Sequence, residues 1–360
     1  MLQTSLLSPI NNLFYHHLEI RMVATSSTQW EAWSGAILRN NLLKAANQVI
    51  VNDKVNLLEL IDHFPLTEIH PMYKELKEGF PKGYVIALPE EYLVAHSELS
   101  PKIFGQKKRT ILENTQEGLY LKEGEIFKFS LFLIGNMSSY YQHFIHAIQL
   151  MCQQGMGHPQ VPFSLIDICE KSYDGKLHLL TTGNNDQIKS LIYPIIFSDY
   201  QSFSENKHKT RIEITFLTPV VLFKQTMRKN PTLSYQDKSN GFPSFYQLVR
   251  SAVARILKLT MLYISPEKTD IDELSLAYFE DWINYATHAS LVLVDMYKTT
   301  LKNTSKKESA NKMPLSGYIG KQIYEGYFNQ FLPMLKFMEA LGVGNETVYG
   351  LGRYVIKTDN

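Results

Sequence analysis

One order of elements runs twice along this chain, and it limits the available folds more than any single motif does. The segment FYHHLEIRMVA, residues 14 to 24, mixes β-branched and aromatic residues with polar ones ahead of a Ser/Thr turn, and it reads as a strand. WEAWSGAILRNNLLKAANQVI, residues 30 to 50, comes next as a helix with Leu38, Leu42, Ala45 and Val49 near one face. GYVIALP, residues 83 to 89, is a short strand, and EIFKFSLFLIG, residues 125 to 135, is a long alternating one. SSYYQHFIHAIQLMCQQ, residues 138 to 154, is a helix that opens on a serine and stops at Gly155. QVPFSLIDICEK, residues 160 to 171, closes the series as a strand, while residues 52 to 82 are mixed and support no assignment.

The second pass begins at TRIEITFLTPVVLF, residues 210 to 223, a strand. FPSFYQLVRSAVARILKLTMLY is a helix with Phe245, Leu248, Val249, Ala252, Val253, Ile256 and Leu257 at helical spacing, which leaves Arg250, Arg255 and Lys258 off the centre of the stripe. DELSLAYFEDWINYATHASLVLVDMYKTTL reads as a further helical stretch inserted in the minimal unit. GYIGKQIYEGYF is a strand pair or one long strand, QFLPMLKFMEAL a helix and TVYGLGRYVI the last strand. Strand, helix, strand, strand, helix, strand is the ferredoxin-like succession. The expected fold is therefore α+β, with two tandem ferredoxin-like (RRM-like) domains and a helical insertion in the second. Each domain is expected to hold a four-stranded antiparallel sheet with helices on one face. The polar run SENKHK puts the boundary near residue 206, giving domains of residues 1–205 and 206–360, and a chain of 360 residues suits two cores.

Charge narrows the function classes. Thirty-six Lys+Arg against 35 Asp+Glu leave a net charge of +1, so any site for a polyanion has to come from local segregation. The basic clusters at Lys107–Arg109, Lys207–Arg211, Arg228–Lys229 and Lys306–Lys307 read as solvated loops. Cys152 and Cys169 show no CxxC spacing and no neighbouring histidine pair, so neither a disulfide framework nor a zinc site is expected. The segment MLQTSLLSPINNLF has no positively charged leader, and no apolar run approaches the ~20 residues of a membrane span, which makes the cytoplasm the expected compartment.

GVGNETVYGLGRY, residues 342 to 354, gathers Gly342, Gly344, Gly350 and Gly352 between a helix and a strand. Nucleotide-binding loops run the other way, from strand to helix, and G-x-G-x-x-G would need glycine where Thr347 stands. A Rossmann or P-loop enzyme is thereby disfavoured. Singly, these glycines read as a helix cap, a turn and a strand crossing. Together they bare backbone N–H groups that can approach a phosphate chain.

This glycine pattern, after a second ferredoxin-like unit, resembles the RAMP superfamily of CRISPR proteins, and within it the endoribonuclease family that processes CRISPR precursor RNA (Cas-six). Residues 317 to 356 are similar to that family's C-terminal signature, RIEITFLTPVVL with FPSFYQLVRSAVARIL to the opening of its second domain, and residues 129 to 168 to the close of its first. GAILRNNL, residues 35 to 42, resembles its first helix. Many relatives carry a cysteine cluster after that helix, whereas this chain has HFPLTEIHPMYKEL.

The resemblance implies metal-independent cleavage of a repeat RNA, with no cofactor, by attack of a ribose 2′-hydroxyl on the adjacent phosphate. Such a reaction needs a base, an acid and positive charge near the phosphate, and histidine can do either proton job. The family's histidine commonly lies in or just after the first helix. Here the nearest are His63 and His70, with Tyr73 and Lys74 as partners; His143 and His146, one helical turn apart, are the second choice. His16 and His17 lie on a strand and point to opposite faces, so at most one faces RNA. RNA grip falls to Gly342, Gly344, Gly350, Gly352 and Arg353, then to Arg39 and Lys44, and to Arg250, Arg255 and Lys258. Gly344→Asp or Gly350→Asp is expected to weaken RNA binding without unfolding the protein, because the side chain blocks backbone approach and the carboxylate repels phosphate. The implied partners are CRISPR repeat RNA, other CRISPR effector subunits and a second copy of the chain in a homodimer, with no membrane. The rival reading is a RAMP subunit that holds RNA without cutting it.

Overall fold

A computed structural model describes residues 10–30, 33–52, 55–63, 81–89, 119–183, 187–204, 210–222, 242–264, 279–301 and 315–358. Its first part runs β1 (Phe14–Ala24), β2 (Thr28–Trp30), α1 (Ser34–Ala46), β3 (Ile50–Asn52), β4 (Val55–Asn56), α2 (Leu57–His63), β5 (Tyr84–Ala87), β6 (Leu119–Leu121), β7 (Ile126–Ile134), α3 (Tyr141–Gln154), β8 (Phe163–Lys171), β9 (Leu177–Thr182) and β10 (Ile195–Ile196). The second part runs β11 (Thr210–Val220), α4 (Phe245–Tyr263), α5 (Glu280–Asn284), β12 (Ser290–Leu301), β13 (Leu315–Gly326), α6 (Leu332–Leu341) and β14 (Tyr354–Thr358). The boundary expected near residue 206 lies outside the described residues.

Two antiparallel sheets carry the molecule. The first has the order β5-β7-β1-β8-β9, with β10 added at the start of β1; the second has the order β12-β13-β11-β14. Alternation along β1 sends Leu18, Ile20 and Met22 into the core and His17, Glu19 and Arg21 to the opposite face. Helix α3 covers the core side: Phe144 packs 5.8 Å from the Tyr84 ring, and the Cys152 sulfur lies 3.8 Å from that of Met22. In the second sheet Ile212, Ile214 and Phe216 face α4 and α6, with Phe245 against Tyr324 and the Tyr354 hydroxyl donating to Leu335 O at 2.7 Å. Helix α4 starts on a complete capping box, in which the Ser244 side chain accepts from the Gln247 amide and the Gln247 side chain from that of Ser244. Such a cap stabilises a helix by about 1 kcal/mol.

Two expectations need correction. The first sheet has six strands and not four, because LHLLTT pairs along β8 as an edge and Ile195–Ile196 adds to β1. Among the described residues of the stretch read as a helical insertion, Glu280–Asn284 is helical and Tyr285–His288 is a 3-10 turn, but Ser290–Leu301 is a strand bonded along β13. Its apolar residues fit a helical period, but Val292, Val294, Thr299 and Thr300 are β-branched and a partner strand was available. β13 is one long strand. No helix among the described residues is long and apolar enough to cross a membrane.

Candidate functional site

The glycine stretch is a folded loop between α6 and β14. Gly342 caps α6 at φ 73°, its amide bonded to Met338 O at 2.8 Å. Val343 N donates to Gly352 O at 2.9 Å and Gly352 N to Pro219 O at 3.0 Å, so the loop closes on itself and on the end of β11. A side chain at Gly344, where φ is 79°, would run into the Val221 carbonyl, and one at Gly350, where φ is 74°, into the Ile86 carbonyl 2.7 Å away. The expectation that either position accepts aspartate without loss of fold is therefore wrong: the glycines serve left-handed backbone and close packing.

The loop is also where α1 docks. Trp33, just ahead of α1, donates its indole N–H to Tyr349 O at 2.7 Å, and the Arg39 guanidinium donates to the Tyr349 hydroxyl at 3.2 Å while lying 4.7 Å from its ring centroid. Arg353 bonds in both directions, its amide to Thr218 Oγ1 at 2.9 Å and its Nη1 to Leu88 O just beyond β5. Arg39 and Arg353 are thus brought to one joint with the glycines. Lys44 is exposed in the last turn of α1.

The three basic residues of α4 do not form one face. Arg250 is engaged with the Tyr246 hydroxyl at 3.2 Å and Glu280 at 3.4 Å, and Lys258 is partly buried. Arg255 is buried and donates to Leu341 O, the last carbonyl of α6, so it is not on a surface that could grip a ligand. The apolar stripe did not reveal this because α4 is covered on its other flank too, where the Tyr263 hydroxyl donates to Pro81 O at 3.0 Å. Burial lowers the Arg255 guanidinium to about 10, with Tyr263 opposing that shift.

Among the candidate histidines, His63 is the last residue of α2, while His70, Tyr73 and Lys74 lie outside the described residues. His143 and His146 are on α3, where His146 is exposed and His143 partly buried. Burial, and then His146, hold His143 below its usual pKa, and its Nδ1 has no hydrogen-bond partner among the described residues.

The strand histidines do diverge. His16 turns to the core side and meets Glu170, Nδ1 to Oε1 2.6 Å, while Glu170 also accepts the amides of Ile192 at 2.9 Å and Tyr193 at 3.0 Å. His17 takes the other face, bonded through Nε2 to Ser130 Oγ at 2.8 Å with its ring centroid 4.4 Å from that of Phe132. Lys171 is its direct partner across β8. Burial, then Lys171, then Arg353 push His17 down to about 3, so it is neutral at ordinary pH. The sequence reading missed this group. Alternation set His17 on a face, but only the register of three strands joined it to Ser130 and Lys171.

Residues 214–354 match a protein-family model described as CRISPR-associated endoribonuclease Cas6, and residues 12–193 match one described as an N-terminal domain. No curated protein matches the chain. Among solved structures it is similar to a chain of a partial Cas6-RT-Cas1–Cas2 complex, at 12% identity and TM-score 0.58, covering 97% of this chain and 47% of that one. A chain of the Cas6-RT-Cas1–Cas2 complex gives the same TM-score of 0.58 at 12% identity, over 97% of this chain and 29% of that one, so the chain spans less than half the length of these relatives. Thermus thermophilus Cas6 is 11% identical with a TM-score of 0.45, over 96% and 99% of the two chains.

Proposed function

The chain belongs to the CRISPR-associated endoribonuclease Cas6 family, and from that premise we propose that it binds CRISPR repeat RNA and cleaves precursor CRISPR RNA without a metal ion. The observation that carries the reading is the family match over 214–354, which takes in the whole glycine loop, together with the docking of α1 on that loop through Trp33 and Arg39. The same strand order in both sheets, with the last strand beside the first and the third beside the second, supports reading each half as a ferredoxin-like unit divided near residue 206.

In the proposed reaction a 2′-oxygen attacks the neighbouring phosphorus, the bond from phosphorus to the 5′-oxygen breaks, and a proton passes to that leaving oxygen. The products are a 2′,3′-cyclic phosphate and a 5′-hydroxyl. His63 and His70, with Tyr73, are proposed for the proton transfers, because α2 is the next helix after the one that meets the loop; His143 and His146 are the second choice. Arg353, Arg39 and Lys44 supply positive charge. Other CRISPR proteins and a second copy of the chain are proposed partners, and the cytoplasm the proposed compartment.

The test is cleavage of a repeat RNA in EDTA by wild type, His63→Ala and His70→Ala. We expect one variant to cleave roughly 10²–10⁴-fold more slowly at nearly unchanged RNA affinity. Cleavage of RNA carrying a 2′-deoxy scissile nucleotide would defeat the mechanism, and binding without any cleavage would favour an RNA-holding subunit.

A further inference from the structure

We infer that Arg255 is a positioning residue for the glycine loop: it ties the last carbonyl of α6, one residue before Gly342, to the buried helix α4 and so sets where the loop starts. This rests on the RNA-binding reading of the loop given above, and it assigns the loop's placement to a side chain that does not itself meet RNA.

The observation is a buried cation with no acid beside it. Arg255 is 8% exposed and makes no ion pair among the described residues. Its one hydrogen bond among them runs from Nη2 to Leu341 O at 3.3 Å, and its Nε has no partner there. Taking a guanidinium out of water without a carboxylate costs the fold more than a contact with the end of a helix returns. Stability is therefore a poor account of this residue, and what it holds is a better one.

It holds the entry to the loop. Leu341 is the last residue of α6, and Gly342 follows at φ 73°. Val343 N then donates to Gly352 O at 2.9 Å, and Gly352 N to Pro219 O at 3.0 Å, so the two ends of the loop are bonded to each other. A shift of the Leu341 carbonyl is thereby carried from the entry of the loop to its exit.

Helix α4 is a firm base for such a contact. Its first turn is closed by the capping box of Ser244 and Gln247. Its last residue, Tyr263, is seated where Gly83 and Gly135 have no side chain: a Cβ at Gly83 would lie 2.5 Å from the Tyr263 ring, and one at Gly135 would run into the Tyr263 carbonyl. The Tyr263 hydroxyl also donates to Pro81 O at 3.0 Å. Held at both ends, α4 gives the Arg255 guanidinium a fixed origin.

A positioning role and a merely structural one differ in sign. Replacing an unpaired buried charge by an apolar chain of similar length leaves stability level or raises it, whereas freeing Leu341 O loosens the loop. The test compares wild type, Arg255→Met and Arg255→Lys as full chains. Thermal melts, hydrogen exchange of peptides covering residues 342–353, and anisotropy with a repeat RNA carrying a 2′-deoxy scissile nucleotide are the three readouts. Arg255→Met is expected to melt at or above the wild-type temperature and to exchange faster over residues 342–353 but not in β1. It is expected to bind the RNA roughly 10-fold more weakly. Arg255→Lys should recover most of that affinity, because one bond to a carbonyl needs a cationic donor and not the guanidinium fork. A lower melt with faster exchange throughout the chain would make Arg255 a general prop of the core and overturn the inference. Unchanged RNA affinity in Arg255→Met, or Arg255→Lys binding as weakly as Arg255→Met, would overturn it too, and in each of these cases the proposed function stands. Failure of wild type to bind repeat RNA overturns this inference and the proposed function together.

Discussion

The same helix-to-strand turn is built twice in this molecule. Helix α3 ends at Gly155-Met156-Gly157 and helix α6 at Gly342-Val343-Gly344. Both caps have a positive φ, 81° and 73°, both bond their amide to a methionine carbonyl, of Met151 and Met338, and both bury the apolar residue between the glycines. The two turns differ beyond the second glycine. After Gly157 the chain turns back at once, with Met156 and Val161 bonded to each other and Gly157 against Thr28 and Trp30, all within the first part. After Gly344 it travels on to Tyr349 and Arg353, whose partners Trp33, Arg39 and Leu88 belong to the other part. One local solution to ending a helix thus serves as a private turn in one place and as the joint between two sheets in the other.

The sheet faces turned away from α3 and from α4 differ in the same sense. On the second sheet Arg211, Lys321 and Lys357 share the face with Glu213, Asp295 and Glu325, and Lys321 pairs with Glu213 at 3.3 Å. On the first, among the described residues, Arg21, Lys128 and Lys171 share the face with Glu19 and Asp167, and Arg21 pairs with Asp167. Matching topology does not impose matching electrostatics, since strand order depends on the buried alternate residues and the outward ones are free to vary.

The comparison can be broken most strongly at the joint. Gly350→Val forces a β-branched residue into φ 74° with its Cβ 2.7 Å from Ile86 O, and we expect a loss of roughly 3 kcal/mol or more, read as a lower urea midpoint, with RNA binding lost as well. Wild-type stability in this variant would mean that the loop is not a joint. Trp33→Phe is milder: it keeps an aromatic ring and removes the indole donor to Tyr349 O, which should cost about 1–3 kcal/mol in thermal melts. An unchanged melt would show that this contact does not hold the parts together.

A smaller effect belongs wholly to the first sheet. Burial alone would raise the Glu170 carboxyl, but His16 and the amides of Ile192 and Tyr193 outweigh it and hold the group below the usual carboxylate range. A folded-state pKa below the unfolded one stabilises the protein above about pH 4.3, and that contribution is lost as pH falls through the lower, folded-state value. Glu170→Gln should therefore lower the melting temperature near neutral pH and flatten its decline in acid. An acid limb equal to wild type would remove Glu170 from that role.

Much of the architecture was legible along the chain. β1 was read to the residue, and α3, α4, α6, β7 and β8 within a few residues, because burial on one face writes a period into the sequence. The misread strand β12 and the unassigned β9 and β10 are edge or added pieces, whose conformation is decided by the neighbour they bond to rather than by their own pattern. At the site, the glycine loop stood out as composition, and the divergence of His16 and His17 came from a period of two. That Arg255 is buried, that Arg39 lies on Tyr349, and that Ser130 and Lys171 meet at His17 could not be read from the chain. Local periodicity is set by each residue's own neighbours, whereas these contacts join positions more than a hundred residues apart or depend on which second surface covers a helix. Only strand register and the docking of one sheet's loop on the other part decide them.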